Sequence, residues 1–338
     1  MRRMKNIDST ADLDIQYLDK IKNISFQPVF IMGLQRSGTS ILYKMLGATN
    51  CFNVVIAYHI VKYNELLHNH INNLEDNAKD NLSEFFRHQS QMTRGIDRLQ
   101  ITPGFPEEYG FLLAQKTKQS RLNQNSLSLF TELCKKIQFI SDSKKPLLLK
   151  NPFDFSNFTY IQKAFPNSKF IFIHRNPMNT LNSQLKAMRT LLQNKSAYMA
   201  MLSPWYNQVF NSSIRLRYYR FLYSSHTPLR ATSAIRKIAK ETDIFLENVD
   251  LIQKDEEYIN VRYEDLCRDP QSTIMGIMKF LDLPLQSNLN YRDFIKPRKT
   301  VLLEELQQRE KFISKRMDKY LTYCKYTTES SSQEEGID

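Results

Sequence analysis

The chain has 338 residues, 41% of them hydrophobic and 24% charged, with a net charge of +12. That length allows one large α/β domain or two small ones, and the balance is that of a globular protein, not a disordered or fibrous one. Four widely spaced cysteines (Cys51, Cys134, Cys267, Cys324) without metal-like spacing read as reduced cytoplasmic thiols, and no apolar run is long enough to span a bilayer.

In chain order, residues 1–22 are polar and charged and read as a flexible or helical leader. They are basic, but no apolar segment follows them, so a signal peptide is not expected. Val29–Met32 is a short apolar run suited to a buried parallel strand. Gly33 opens a turn, and Ser37-Gly38-Thr39-Ser40 leads into Ile41, Leu42, Met45 and Leu46 at helical spacing. Strand, glycine turn and helix start together make an anion cradle. The first helical amides have no partner within the helix, and the helix dipole favours negative charge there.

Cys51–Ala57 reads as a second strand, delivering Tyr58 and His59 to its carboxyl end. From about residue 61 to 139 the pattern is helical, interrupted at Ile101–Tyr109 by Pro103, Gly104 and Pro106, a loop that carries Glu107 and Glu108. Leu147–Lys150 and Lys169–His174 are further buried strands, each followed by a helix. Residues 193–250 read as a second helical insertion, rich in Tyr, Asn and Met at its start, suited to a substrate-side lid or a peripheral helix pair. Tyr258–Tyr263 is the last strand, and Asp269-Pro270 starts a helix. Residues 23–326 then form one α/β domain, a P-loop-like parallel sheet flanked by helices with two helical insertions. Residues 327–338 read as a disordered acidic tail.

The spacing Gly33-x-x-x-x-Gly38 is that of a nucleotide P-loop, but Thr39 stands where a Walker loop carries Lys, and the cation, Arg36, lies inside the loop. A planar fork in that position suits one terminal oxyanion group. An ordinary strand–helix turn containing Gly and Ser is the plain alternative. The net charge has three competing explanations: nucleic acid, a membrane surface, or an anionic cofactor or substrate. No Lys/Arg run with interleaved aromatics stands out, so nucleic acid is not expected as a partner.

GxxRSGTS after a strand resembles the 5′-phosphosulfate loop of sulfotransferases that use 3′-phosphoadenosine 5′-phosphosulfate (PAPS). Two later stretches share the resemblance: LLLKNP…AFPNSKFIFIHRNP with Ser183, and YINVRYEDLCRDP. The departure is Gln35, where relatives often have Pro before the arginine. The resemblance implies that Arg36, Ser37, Gly38, Thr39 and Ser40 hold the 5′-phosphosulfate, that Arg175 and Ser183 hold the 3′-phosphate, and that Tyr263 and Lys296 approach the nucleotide. It also implies that Lys150 reaches the sulfuryl group. Many bacterial relatives place an aromatic–Glu pair about twenty residues past the loop, where this chain has Tyr58-His59. A histidine is a good base near neutral pH, so His59 is the first candidate, with Glu107 and Glu108 next because relatives carry an acidic pair in this region.

The expected function is sulfuryl transfer from PAPS, without a metal, to a hydroxyl or amine of a small-molecule or glycan acceptor, with 3′-phosphoadenosine 5′-phosphate (PAP) as product. A P-loop kinase and a non-catalytic nucleotide-binding protein are the alternatives.

Overall fold

The structure, a computed structural model, describes residues 11–88, 101–225, 228–284, 289–295 and 300–326, the side chains of 228 and 229 excepted. Five parallel strands stand in the order β2-β3-β1-β4-β5: β1 Pro28–Met32, β2 Asn53–Val54, β3 Leu147–Lys150, β4 Lys169–His174 and β5 Tyr258–Arg262. The order turns back at β1, so the loops after β1, β3, β4 and β5 share the carboxyl edge, where open α/β sheets place ligands.

Successive side chains on a strand alternate between the two faces, and here both faces are covered. Phe30, Leu147, Leu149, Phe170 and Phe172 face one layer, joined by Phe130, Phe158 and Phe245. Val29, Ile31, Leu148, Ile171 and Ile173 face the other, against α1 (Thr39–Ala48) and the helix Pro270–Phe280. The aromatic layer is dense. The Phe172 ring lies 5.3 Å from Phe158, 4.9 Å from Phe245 and 5.6 Å from Tyr258. Truncating such a ring to alanine costs about 3–5 kcal/mol, a cavity penalty added to lost transfer energy.

The second strand is shorter than the sequence predicts. Val55 leaves the sheet because its N–H donates to Tyr43 Oη (2.8 Å). Beyond it, the Ala57 and Tyr58 amides donate to Phe105 and Pro103 carbonyls, and Glu107 N–H donates to Val55 O. Tyr58 and His59 consequently start a short helix, α2 (Ala57–Val61), instead of ending a strand. The last strand also stops one residue early, and Tyr263 opens the helix Tyr263–Arg268.

Part of the polar leader is docked. Ile15–Ile21 forms a 3-10 helix, and Asp14 next to it is fully buried and ion-paired with the equally buried Lys136 at 2.9 Å. A buried charge is held where it has a partner, and here Lys136 also donates to Tyr63 O and pairs with Glu132. Residues 1–10 and 327–338 lie outside the described residues. Among the described residues, no helix is long and apolar enough to cross a membrane.

Candidate active site

The loop after β1 has the backbone that an anion cradle needs. Gly38 has φ +99°, a left-handed conformation that suits glycine, and a Cβ there would stand 2.3 Å from the Tyr263 ring. Arg36 is also left-handed, at φ 69°. For a residue with a long side chain this costs energy, and surrounding contacts must hold it. They do: Arg175 Nη1 donates to Arg36 O (3.1 Å), Gln184 Nε2 donates to Gln35 O (2.7 Å), and Arg36 Nε donates to Ser183 Oγ (3.1 Å). The first intrahelical bond of α1 runs from Leu42 N to Gly38 O (3.1 Å), so the Thr39, Ser40 and Ile41 amides lie in the first, open turn. Ser37 Oγ is buried, with no hydrogen-bond partner among the described residues. A Cβ on Gly33 would come within 2.5 Å of that hydroxyl.

At the end of β3, Lys150 is 1% exposed. Its ammonium lies 3.0 Å from Ser40 Oγ and 3.0 Å from Glu108 Oε1, so the start of α1, the end of β3 and the Pro-Glu-Glu loop meet on one cation. The Glu108 side chain is 12% exposed, on the rim of the buried pair.

At the end of β4, the Arg175 guanidinium stacks on the Tyr263 ring (4.4 Å). Two sets of contacts thus lie at the sheet edge: Ser40, Lys150 and Glu108 in one, and Arg36, Arg175, Ser183 and Tyr263 in the other. The loop after β1 belongs to both, through Ser40 to the first and Arg36 to the second. Lys296 lies outside the described residues.

Glu107 turns inward. It is fully buried and accepts from Tyr198 Oη (3.0 Å), on the helix Ala197–Leu202 of the second insertion. His59 is also buried, and it caps its own helix: Ile56 N–H donates to His59 Nδ1 (3.3 Å), while His59 N–H donates to Ile56 O (2.9 Å). Burial, aided by the nearby Lys79 cation, lowers its imidazole pKa to about 3. His174, under the same edge, is lowered to about 4 by burial, with its ring between Tyr320 Oη (2.8 Å) and Asn260 Oδ1 (2.9 Å).

A supporting layer lies beneath, and the sequence reading did not single it out. Asp154 is fully buried and accepts from Tyr109 Oη (2.7 Å), Asn151 Nδ2 (2.7 Å), Leu122 N (3.0 Å) and Asn157 Nδ2 (2.9 Å). Burial raises its pKa and outweighs these donors, which pull it down. Asn151 follows Lys150 and Tyr109 follows Glu108, so one carboxylate holds the side chain next in sequence to each member of the ion pair. The run Asn-Pro-x-Asp after a strand was the available signal, since Asn and Asp commonly bond nearby backbone in turns. A second clasp holds the end of β4: Glu264 accepts from Asn176 N (3.0 Å) and from Tyr326 Oη.

No curated protein matches the sequence. The fold is similar to those of two solved structures. The first is sulfotransferase STF9 from Mycobacterium avium, with TM-score 0.64 and 14% identity over 95% of this chain and 81% of that one. The second is sulfotransferase STF1 from Mycobacterium tuberculosis H37Rv, with TM-score 0.55 and 15% identity over 93% of this chain and 78% of that one. At those identities the likeness is one of fold. The family model described as "Sulfotransferase family" matches residues 28–287, from the first residue of β1 past the helix that follows β5. Since that match spans most of the chain and all five strands, the protein belongs to the sulfotransferase family.

Proposed function

We propose that this chain transfers the sulfuryl group of PAPS to a hydroxyl or amine of a small-molecule or glycan acceptor. The observation that carries the reading is that one loop meets two cation groups on one sheet edge, Lys150 at Ser40 and Arg175 with Ser183 at Arg36. PAPS has two separate anionic ends, and this pairing matches both. The open amides of α1 and the buried hydroxyl of Ser37, without a partner among the described residues, fit a tetrahedral oxyanion, and the missing Cβ at Gly33 and Gly38 lets the loop pack closely on Ile173 and the Tyr263 ring.

Arg36, Ser37, Gly38, Thr39 and Ser40 would hold the 5′-phosphosulfate, and Arg175 with Ser183 the 3′-phosphate, with Tyr263 beside them. When bound, the donor supplies a sulfuryl group already activated by its mixed anhydride with phosphate. Arg36 and Lys150 neutralise negative charge at the reacting end, which is the largest service a fixed site gives to such a transfer. Ser40 holds the Lys150 ammonium towards the loop.

We assign the base to Glu108 ahead of His59. Glu108 touches Lys150 and sits on the rim of the site, whereas His59 is buried and its Nδ1 is engaged in capping α2. Glu107, bonded to Tyr198, orients the loop that carries Glu108.

Calorimetry with PAP, AMP and Mg-ATP, followed by an acceptor screen with radiolabelled PAPS, tests the reading. PAP binding well ahead of AMP and label transfer to an alcohol or amine are expected. Equal affinity for PAP and AMP, or preference for Mg-ATP, overturns it.

A further inference from the structure

The charge of this chain is unevenly placed. No Asp or Glu occurs from Phe155 to Lys240, while that stretch carries thirteen Lys and Arg. The remainder of the sequence is close to neutral, so this segment accounts for the net charge of +12. Within it lies the helix Ser213–Leu222, SIRLRYYRFL, an Arg-and-aromatic run where none is expected from the sequence.

That helix has no buried residue. Its inner side is Leu216, Tyr219 and Leu222, partly buried against the core, and Arg220 is tied to the Leu192 and Gln193 carbonyls. Its outer side is a stripe at positions i, i+4 and i+7: Ile214 (79% exposed), Tyr218 (58%) and Phe221 (65%). At 100° per residue, Arg217 flanks the stripe on one side and Arg215 on the other, both exposed. Trp205, 40% exposed, packs its ring against Tyr219 (5.3 Å). An apolar stripe with a cation on each edge is the pattern of a helix that lies in a lipid interface. There the side chains enter the acyl boundary and the guanidinium groups reach the headgroups.

We propose that the helix Ser213–Leu222 docks the protein on an anionic lipid surface. The charge complementarity of the acid-free segment selects anionic over neutral lipid, and the aliphatic Ile214 at the head of the stripe favours acyl chains over stacked bases. The same insertion reaches the site through Tyr198 and Glu107, so docking would bring the acceptor side of the protein to membrane-borne hydroxyls. Only this last consequence rests on the proposed activity; docking itself does not.

The test is co-sedimentation of the full chain with vesicles of phosphatidylcholine alone or with about one third phosphatidylglycerol. It compares wild type with the triple variant I214S/Y218S/F221S and with R215Q/R217Q. Circular dichroism melting shows that each variant folds, and no variant touches the catalytic residues. Wild type is expected to bind the anionic vesicles only, more weakly at high salt. The triple variant should lose at least about tenfold in partitioning, and the double variant should show a weaker preference for anionic lipid. Three results overturn the proposal: no binding to anionic vesicles, binding unchanged in the triple variant, or equal binding to neutral vesicles. A dimer in light scattering that the triple variant dissociates, without vesicle binding, assigns the face to a second copy. Oligonucleotide binding without vesicle binding assigns it to nucleic acid, and either outcome also overturns the lipid reading.

Discussion

Lys150 and Glu108 form a contact ion pair at 3.0 Å, with the lysine almost wholly out of water and the glutamate at the rim. A buried cation needs a counter-charge, and in this protein that counter-charge is also the base proposed for the acceptor proton.

Glu108→Gln is therefore expected to abolish most turnover while PAP still binds, because removing a carboxylate beside an anion site does not weaken anion binding. His59→Ala should leave turnover within a fewfold of wild type. With its pKa lowered to about 3, the imidazole is neutral throughout the working range and cannot generate an acid limb near pH 6. Steady-state rates of both variants with calorimetry of PAP decide the matter. A dead His59→Ala that still binds PAP, beside an active Glu108→Gln, would return the base to His59.

Lys150→Ala should lower kcat on the order of 100-fold, the usual cost of one electrostatic contact at a reacting centre, with a smaller effect on PAP affinity. Its alternative role, a counter-ion that holds Glu108, predicts loss of stability instead. Thermal melts of the variant beside its kinetics separate the two.

Arg175→Ala should reduce the preference for PAP over AMP by about 2–3 kcal/mol, the value of a charge-assisted contact to the 3′-phosphate. Arg175 also holds the Arg36 carbonyl, so some loss for both nucleotides is expected. Calorimetry that shows equal losses for PAP and AMP would leave Arg175 with the loop-holding role alone.

Gly38→Ala meets two obstacles, a left-handed φ and the Tyr263 ring. The backbone cost is about 1–2 kcal/mol before any clash is counted. Adding Tyr263→Ala should relieve the clash and leave the φ cost. A melting temperature for Gly38→Ala equal to wild type would contradict the close approach.

His174 gives a pH signature. Burial depresses its folded-state pKa to about 4, below the ordinary value of 6.5, so the unfolded chain takes up the proton first. Stability from keeping this ring neutral is complete above pH 6.5 and is lost as pH falls toward 4, by up to about 3 kcal/mol. His59 acts in the same sense. Urea midpoints for wild type should fall between pH 6.5 and 5, and His174→Gln should flatten that decline. Parallel curves would show that His174 is not neutral and buried in the folded protein.

Much of this was legible in the sequence. Unbroken apolar runs such as Phe170–Ile173 suit strands covered on both faces, and the spacing of Gly33, Arg36 and Gly38 marks the turn that follows the first strand. The error in the second strand came from a long-range bond. Nothing near Val55 shows that Tyr43 Oη will take its amide out of the sheet. The contact behind the proposed rank of the bases was hidden for the same reason, since Glu108 and Lys150 are far apart in sequence. The amphipathic helix at Ser213–Leu222 was legible too, in its i, i+4, i+7 stripe and in the missing acids, but apolar residues there read equally well as core.

The buried Asp154 carboxylate ties the Asn151 side-chain amide to the Tyr109 hydroxyl. The acid and the cation are thus fixed from below, and the insertion above reaches them through the bond from Tyr198 to the buried Glu107 next to Glu108. On the proposed function, an insertion that keeps a donor at that position is free to change the rest of its sequence without retuning the chemical step. Grafts of residues 193–225 between members of this family should then keep the Lys150–Glu108 pair only where Tyr198 is retained.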